Sequence, residues 1–213
     1  MTVTDACVCP YPAGDSSIRR MALEARELGF DRLVAVGVPS GEYSGLPVIE
    51  GALISGGSAK DIAARVKRAH AAGAFVLVQA GENGFNRAIL GLNGVHILTG
   101  IHAADRHAFD HVTAKMAADK GIALDISLAP LIRQRGAARQ KALDRYLDIV
   151  MLSRKFGFPL TLSTHARSIL MMRSVREISA LASLIGLDIA EVEKGLSSVD
   201  TLLAPQGSVK VIP

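Results

Sequence analysis

Ile122-Ala123-Leu124-Asp125-Ile126-Ser127-Leu128 alternates without a break. Ile122, Leu124, Ile126 and Leu128 point one way, and Ala123, Asp125 and Ser127 point the other. A period of two is a strand, and a continuous apolar series on one face needs a covering layer of helices. The opposite face is small and polar, which suits the inside of a closed barrel, with Asp125 near its mouth. Moving outward, strand and helix patterns alternate in both directions. Upstream lie strands at 95–98, 75–79, 48–54 and 31–38. Between and before them come helices at 105–120, 84–90, 58–72 and 18–28, and residues 39–47 read as a loop. Downstream come a long helix at 136–156, a strand at 160–163 and helices near 175–185 and 189–198. Strands separated by helices imply a parallel sheet with right-handed crossovers. Seven or eight such units over residues 1–213 predict one α/β domain, a TIM-like (β/α) barrel. Its closure is expected to be irregular, because the last unit reads as helical.

Composition narrows the class. The chain has 213 residues, 49% hydrophobic and 4% aromatic, with no Trp. The core must therefore be built from aliphatic residues, and few platforms exist for stacking exposed bases. Twenty-four basic residues against twenty acidic give +4, which permits a polyanionic partner without requiring one. Cys7 and Cys9 are the only cysteines. At i and i+2 of a strand their Cα atoms lie about 6.6 Å apart, a poor disulfide geometry. Free thiols imply a reducing compartment, so a cytoplasmic location is expected. No signal architecture opens the chain and no apolar run is long enough to span a bilayer, so no membrane partner is expected.

Val3-Thr4-Asp5-Ala6-Cys7-Val8-Cys9-Pro10 resembles the first strand of metal-dependent phosphoesterase barrels, where an Asp-x-His-x-His run supplies two imidazoles. Here those positions are Cys7 and Cys9. Gln79 stands where another histidine would be, and Ala52 and Leu53 stand where a carboxylate would follow Gly51. Cys7, Cys9, Gln79, Asp125 and His165 thus form a vestigial set at the barrel mouth. Phosphoester hydrolysis uses oxygen and imidazole clusters, so neither a catalytic residue nor a metal is expected. A free-standing metal phosphoesterase, or a metal-free enzyme gripping phosphate through Arg133 and Arg135, are the rival readings. His107 and His111 fall one turn apart if 105–120 is one helix.

The basic signal is sharper. Arg133, Arg135, Arg139 and Lys141 follow a strand end with no acid between Asp125 and Asp144. The helix macrodipole disfavours cations at an N-terminus, so an anionic partner explains the cluster better than helix stability does. Arg167, Arg173 and Arg176 follow the next strand.

Asn86-Arg87-Ala88, Val95-His96-Ile97-Leu98 and Asp110-His111-Val112-Thr113-Ala114-Lys115-Met116-Ala117 resemble the archaeal ribonuclease P protein component 3 family. So do Leu152-Ser153-Arg154-Lys155-Phe156-Gly157-Phe158-Pro159 and Leu162-Ser163-Thr164-His165-Ala166. The resemblance covers most of the chain, rests on the order and spacing of blocks, and is weakest in the N-terminal third. It implies a barrel related to the polymerase-and-histidinol-phosphatase type, acting as a subunit of an RNA enzyme that cuts the 5′ leader from precursor tRNA. The implied partners are the catalytic RNA, other protein subunits of the complex and, indirectly, precursor tRNA. Magnesium would sit on the RNA, and this chain would bind no cofactor. Within the resembling blocks, Arg87, Arg154 and Lys155 join the candidate RNA contacts.

Overall fold

The computed structural model describes residues 1–204. Seven strands run parallel: β1 (Thr4–Val8), β2 (Arg32–Val36), β4 (Leu46–Ile54), β5 (Phe75–Gln79), β6 (Ile97–Thr99), β7 (Ala123–Ser127) and β8 (Leu160–Ser163), each beside the next. β3 (Gly41–Tyr43) pairs antiparallel with β4. β1 and β8 do not share a ladder. A single bridge, Val8 to Ala166, joins them, with hydrogen bonds from Cys9 N to Ala166 O and from His165 N to Cys7 O at 2.8 and 2.9 Å. The barrel is closed, irregularly, at this seam, as the sequence leads one to expect.

The alternation in β7 is borne out. Leu124 and Ile126 pack outward with the helices, while Ala123 joins Cys7, Val34, Phe75, Leu77 and Ile97 in the lumen. The outer layer comprises α1 (Ile18–Glu27), α2 (Ala59–Ala71), α3 (Asn83–Leu90), α4 (His111–Lys120), α5 (Ala129–Arg133), α6 (Gly136–Phe156) and α7 (Val175–Ser183). The last helix, α8 (Ile189–Leu203), packs against β8 and β1 and sends Val199 into the lumen beside Phe75. One end of the barrel is thereby plugged, and the end at the strand C-termini stays open.

Two expectations need correction, and one element was not foreseen. Residues 39–47 are not a loop: Ser44 and Gly45, at φ 51° and 75°, form the two-residue turn of the β3–β4 hairpin. The helix at 105–120 is broken. Asp105 caps a 3₁₀ turn over Arg106–Ala108, Phe109 is extended, and Asp110 caps α4. His107 and His111 therefore belong to different elements. α5 was not visible in the pattern, because it has a single turn opened by Pro130.

Candidate functional site

Buried polar groups line the open end. Asp125 is fully buried on the inner face of β7. Its carboxylate accepts from Thr99 Oγ1 at 2.6 Å, Ser163 Oγ at 2.7 Å and His165 Nε2 at 2.9 Å. Burial works to raise its pKa. The His165 hydrogen bond and charge, with the Thr99 and Ser163 hydroxyls, outweigh that and hold it below the ordinary value. Burial opposes a charge on His165 too, yet Asp125 raises its pKa. The two make a buried ion pair whose lone pairs are filled by neighbouring strands.

His165 reaches this position through its backbone. At φ 47° it occupies the left-handed region, uncommon for a residue with a side chain. The turn is held by Asp5, which accepts from Thr164 N at 3.0 Å and Thr164 Oγ1 at 2.5 Å, and from Cys7 N at 3.2 Å. Burial pushes the Asp5 carboxyl up to about 6 against those donors. Asp5 is thus the clamp across the seam, a role that only the fold reveals.

Cys7 and Cys9 are buried, free thiols beside His165. The hydrogen bond to Cys9, burial and nearby acids push the Cys7 thiol well above the ordinary range. Cys9 falls to about 7: the Cys7 hydrogen bond lowers it, burial opposes, and the charges of His165 and Arg167 help. Next to them opens a cavity of about 590 Å³, lined among others by Cys9, Gln79, Gly100, His102, Arg133 and Arg167. His102 belongs to this wall. Its Nδ1 lies 2.9 Å from the hydroxyl of Tyr146, which α6 brings in. Thr99, His102 and Tyr146 are members of the site that sequence reasoning missed. An isolated Thr or Tyr on an apolar face gives no signal of its inward partner.

The vestigial set is therefore brought together around one mouth. Its chemistry does not fit the metal cluster of a phosphoesterase barrel: Leu53 and Gln79 replace ligands, and Asp125 is spent on its own strands.

The cations divide. Arg133 and Arg167 stand at the cavity rim, and Arg135 occupies the N-cap position of α6 without a side-chain cap. Arg139 and Lys141 follow within two turns, and Lys141 faces a separate groove against Ala104 and Arg106. None of these five, nor Arg176, forms an ion pair among the described residues. Arg87 pairs with Asp110 at 2.9 Å, and Arg173 donates to Leu170 O and Met172 O. Arg154 is held by Glu191 and by Gly186 O. With Lys155 it sits at the far end of α6, about 28 Å from Arg135 at 1.5 Å per residue.

The model of the ribonuclease P subunit p30 family matches residues 2–206. The chain belongs to that family. Its members are protein subunits of ribonuclease P, the enzyme that processes the 5′ leaders of tRNA. Ribonuclease P protein component 3 of Methanothermobacter thermautotrophicus is 30% identical over 201 residues, covering 86% of this chain and 81% of that one. The same component from Methanosarcina acetivorans is 30% identical over 211 residues, covering 92% and 85%. Among solved structures, a chain in the cryo-EM structure of archaeal ribonuclease P with mature tRNA superposes with a TM-score of 0.78. It is 18% identical and covers 92% of this chain and 89% of that one. Histidinol phosphate phosphatase of Lactococcus lactis superposes at 0.60 with 12% identity, covering 86% and 92%, so p30 subunits and that phosphatase share a barrel fold.

Proposed function

We propose that this chain serves as the barrel subunit of a ribonuclease P particle, contacting the catalytic RNA through the arginines that crown its open end. The observation that carries this is the group Arg133, Arg135, Arg139 and Arg167. These cations are gathered by the fold at the mouth and at an uncapped helix start, with no acid paired to them among the described residues. Structured RNA hides its base edges in a deep, narrow groove, so contacts go to phosphates and shape. Lys141 faces a separate groove and Arg176 follows a helix start bonded to Leu28, so both lie outside this rim. Arg87, Arg154, Lys155 and Arg173 are secondary candidates, since each has its side chain engaged within the protein or lies away from the mouth.

Catalysis belongs to the RNA and its magnesium, and this chain supplies no reacting group. Precursor tRNA is met only through the assembled particle, in which a second protein subunit shares the work. No helix among the described residues is long and apolar enough to cross a membrane, and we place the chain in the cytoplasm.

The test is the salt dependence of binding. Replacing Arg133, Arg135 and Arg139 by Ala together weakens binding to ribonuclease P RNA. It also lowers the magnitude of the log–log salt slope by about 0.7–0.9 for each phosphate no longer neutralised. A filter-binding series over salt measures it, and an unchanged slope would assign this cluster to solvent or to a protein partner. Folding stability changes by no more than about 0.5 kcal/mol for each substitution, since they are at the surface.

A further inference from the structure

Two thiols and one imidazole meet at the barrel seam. Cys7 and Cys9 come from β1 and its exit, His165 from the turn after β8, and their ligand atoms all lie within 4.8 Å of one another. Cys7 Sγ and His165 Nδ1 are 3.6 Å apart. A tetrahedral zinc ion, with sulfur at about 2.3 Å and nitrogen at about 2.0–2.1 Å, sets that separation at about 3.6 Å. The orientation of the ring fits the same purpose. His165 Nε2–H donates to Asp125, so once metal binding releases the Nδ1 proton of the ion-paired ring, the Nδ1 lone pair faces the Cys7 thiol. A carboxylate holding the non-ligating nitrogen is the outer arrangement that metal-binding histidines use.

We propose that Cys7, Cys9 and His165 form a mononuclear zinc site whose fourth position faces the cavity. Thiolate ligands select a borderline-soft ion over magnesium or calcium. Such an ion would tie β1 to the turn after β8, where the barrel has one bridge in place of a ladder. The site is independent of the arginine rim and stands whether or not the RNA reading does. It departs from the metal-free mouth expected of the sequence: two thiols and an imidazole do not make a phosphoesterase cluster, but they suit a single zinc ion.

The full-length protein, reduced and stripped with a chelator, is titrated with cobalt(II) as a spectroscopic stand-in for zinc. Expected are a thiolate-to-cobalt charge-transfer band and intense tetrahedral d–d bands that saturate at one equivalent. Zinc displaces them and magnesium does not. Joint replacement of Cys7 and Cys9 by Ser abolishes the bands, and Asp125→Asn weakens binding about 10–100-fold. Zinc raises the melting temperature of the wild type but not of the serine variant. In the wild type, calorimetric titration shows zinc saturating at one equivalent with proton release from the thiols, a readout that needs no variant to fold. Absence of a saturating band, bands surviving in the serine variant, or no saturable zinc binding would each overturn the site.

Discussion

Single residues show how far local reading reaches. His96 was visible only as part of a family block, yet its Nδ1 accepts from Val76 N at 2.9 Å and its ring stacks on Phe75. Burial, with the charge of His70, lowers its pKa to about 4. A histidine whose folded pKa lies below its unfolded value keeps its stabilising share above pH 6.5 and loses it as pH falls toward 4. Allowing for its partly exposed edge, the loss is about 2 kcal/mol. Urea unfolding at pH 7.5 and 4.5 should show that drop in the wild type and a smaller one in His96→Gln. Gly100 makes a second case. At φ 74° it lies where a Cβ would come within 1.8 Å of Gln79 Nε2. Gly100→Ala should therefore cost about 1–3 kcal/mol. Gln79→Ala in that background should restore the part due to the clash and leave the backbone strain, and thermal melts of the three variants separate the two.

Elements were legible where capping and periodicity agreed. Ser58 and Ser174 each open a helix with a reciprocal cap to Asp61 and Glu177, and α6 spans the residues its pattern predicts. The pattern failed at 105–120, where two aspartates compete as caps five residues apart. Asp110 wins the longer helix because its carboxylate accepts from Val112 N at 3.0 Å and Thr113 N at 2.9 Å, while Thr113 Oγ1 accepts from Asp110 N. Arg87 and those donors hold the carboxyl well below its usual range despite desolvation. Asp110→Ala should cost about 1 kcal/mol by urea titration, the ordinary worth of an N-cap. Asp105→Ala should cost less, since it caps only a 3₁₀ turn. Equal costs would mean that the α4 start is held by packing instead.

At the scale of the molecule, Arg133 and Arg167 stand at the open end without an ion pair among the described residues, while α8 plugs the other end, where Arg32 pairs with Asp200. A mildly basic chain with few aromatics is poorly equipped to hold a large RNA alone. The particle should therefore need a second protein for this subunit to act. Reconstitution of leader cleavage with RNA plus this chain, RNA plus a candidate partner, and all three together measures that. Stimulation is expected only in the last, and full stimulation by this chain alone would refute the partnered mechanism.

The order of strands and helices, the inward face of β7, the free thiols and the basic run after residue 132 were all determined by the sequence. Each depends on neighbours within a few residues, where period and spacing carry the information. Which side chains meet across the mouth was decided only by the tertiary structure. His165 reaches Asp125 and Cys7 because three strands separated by 40 and 158 residues converge at one rim. Arg154, cationic in the same helix as Arg135, is instead committed to Glu191 on α8. Contacts that distant are set by barrel closure, and closure is a property of all seven parallel strands together.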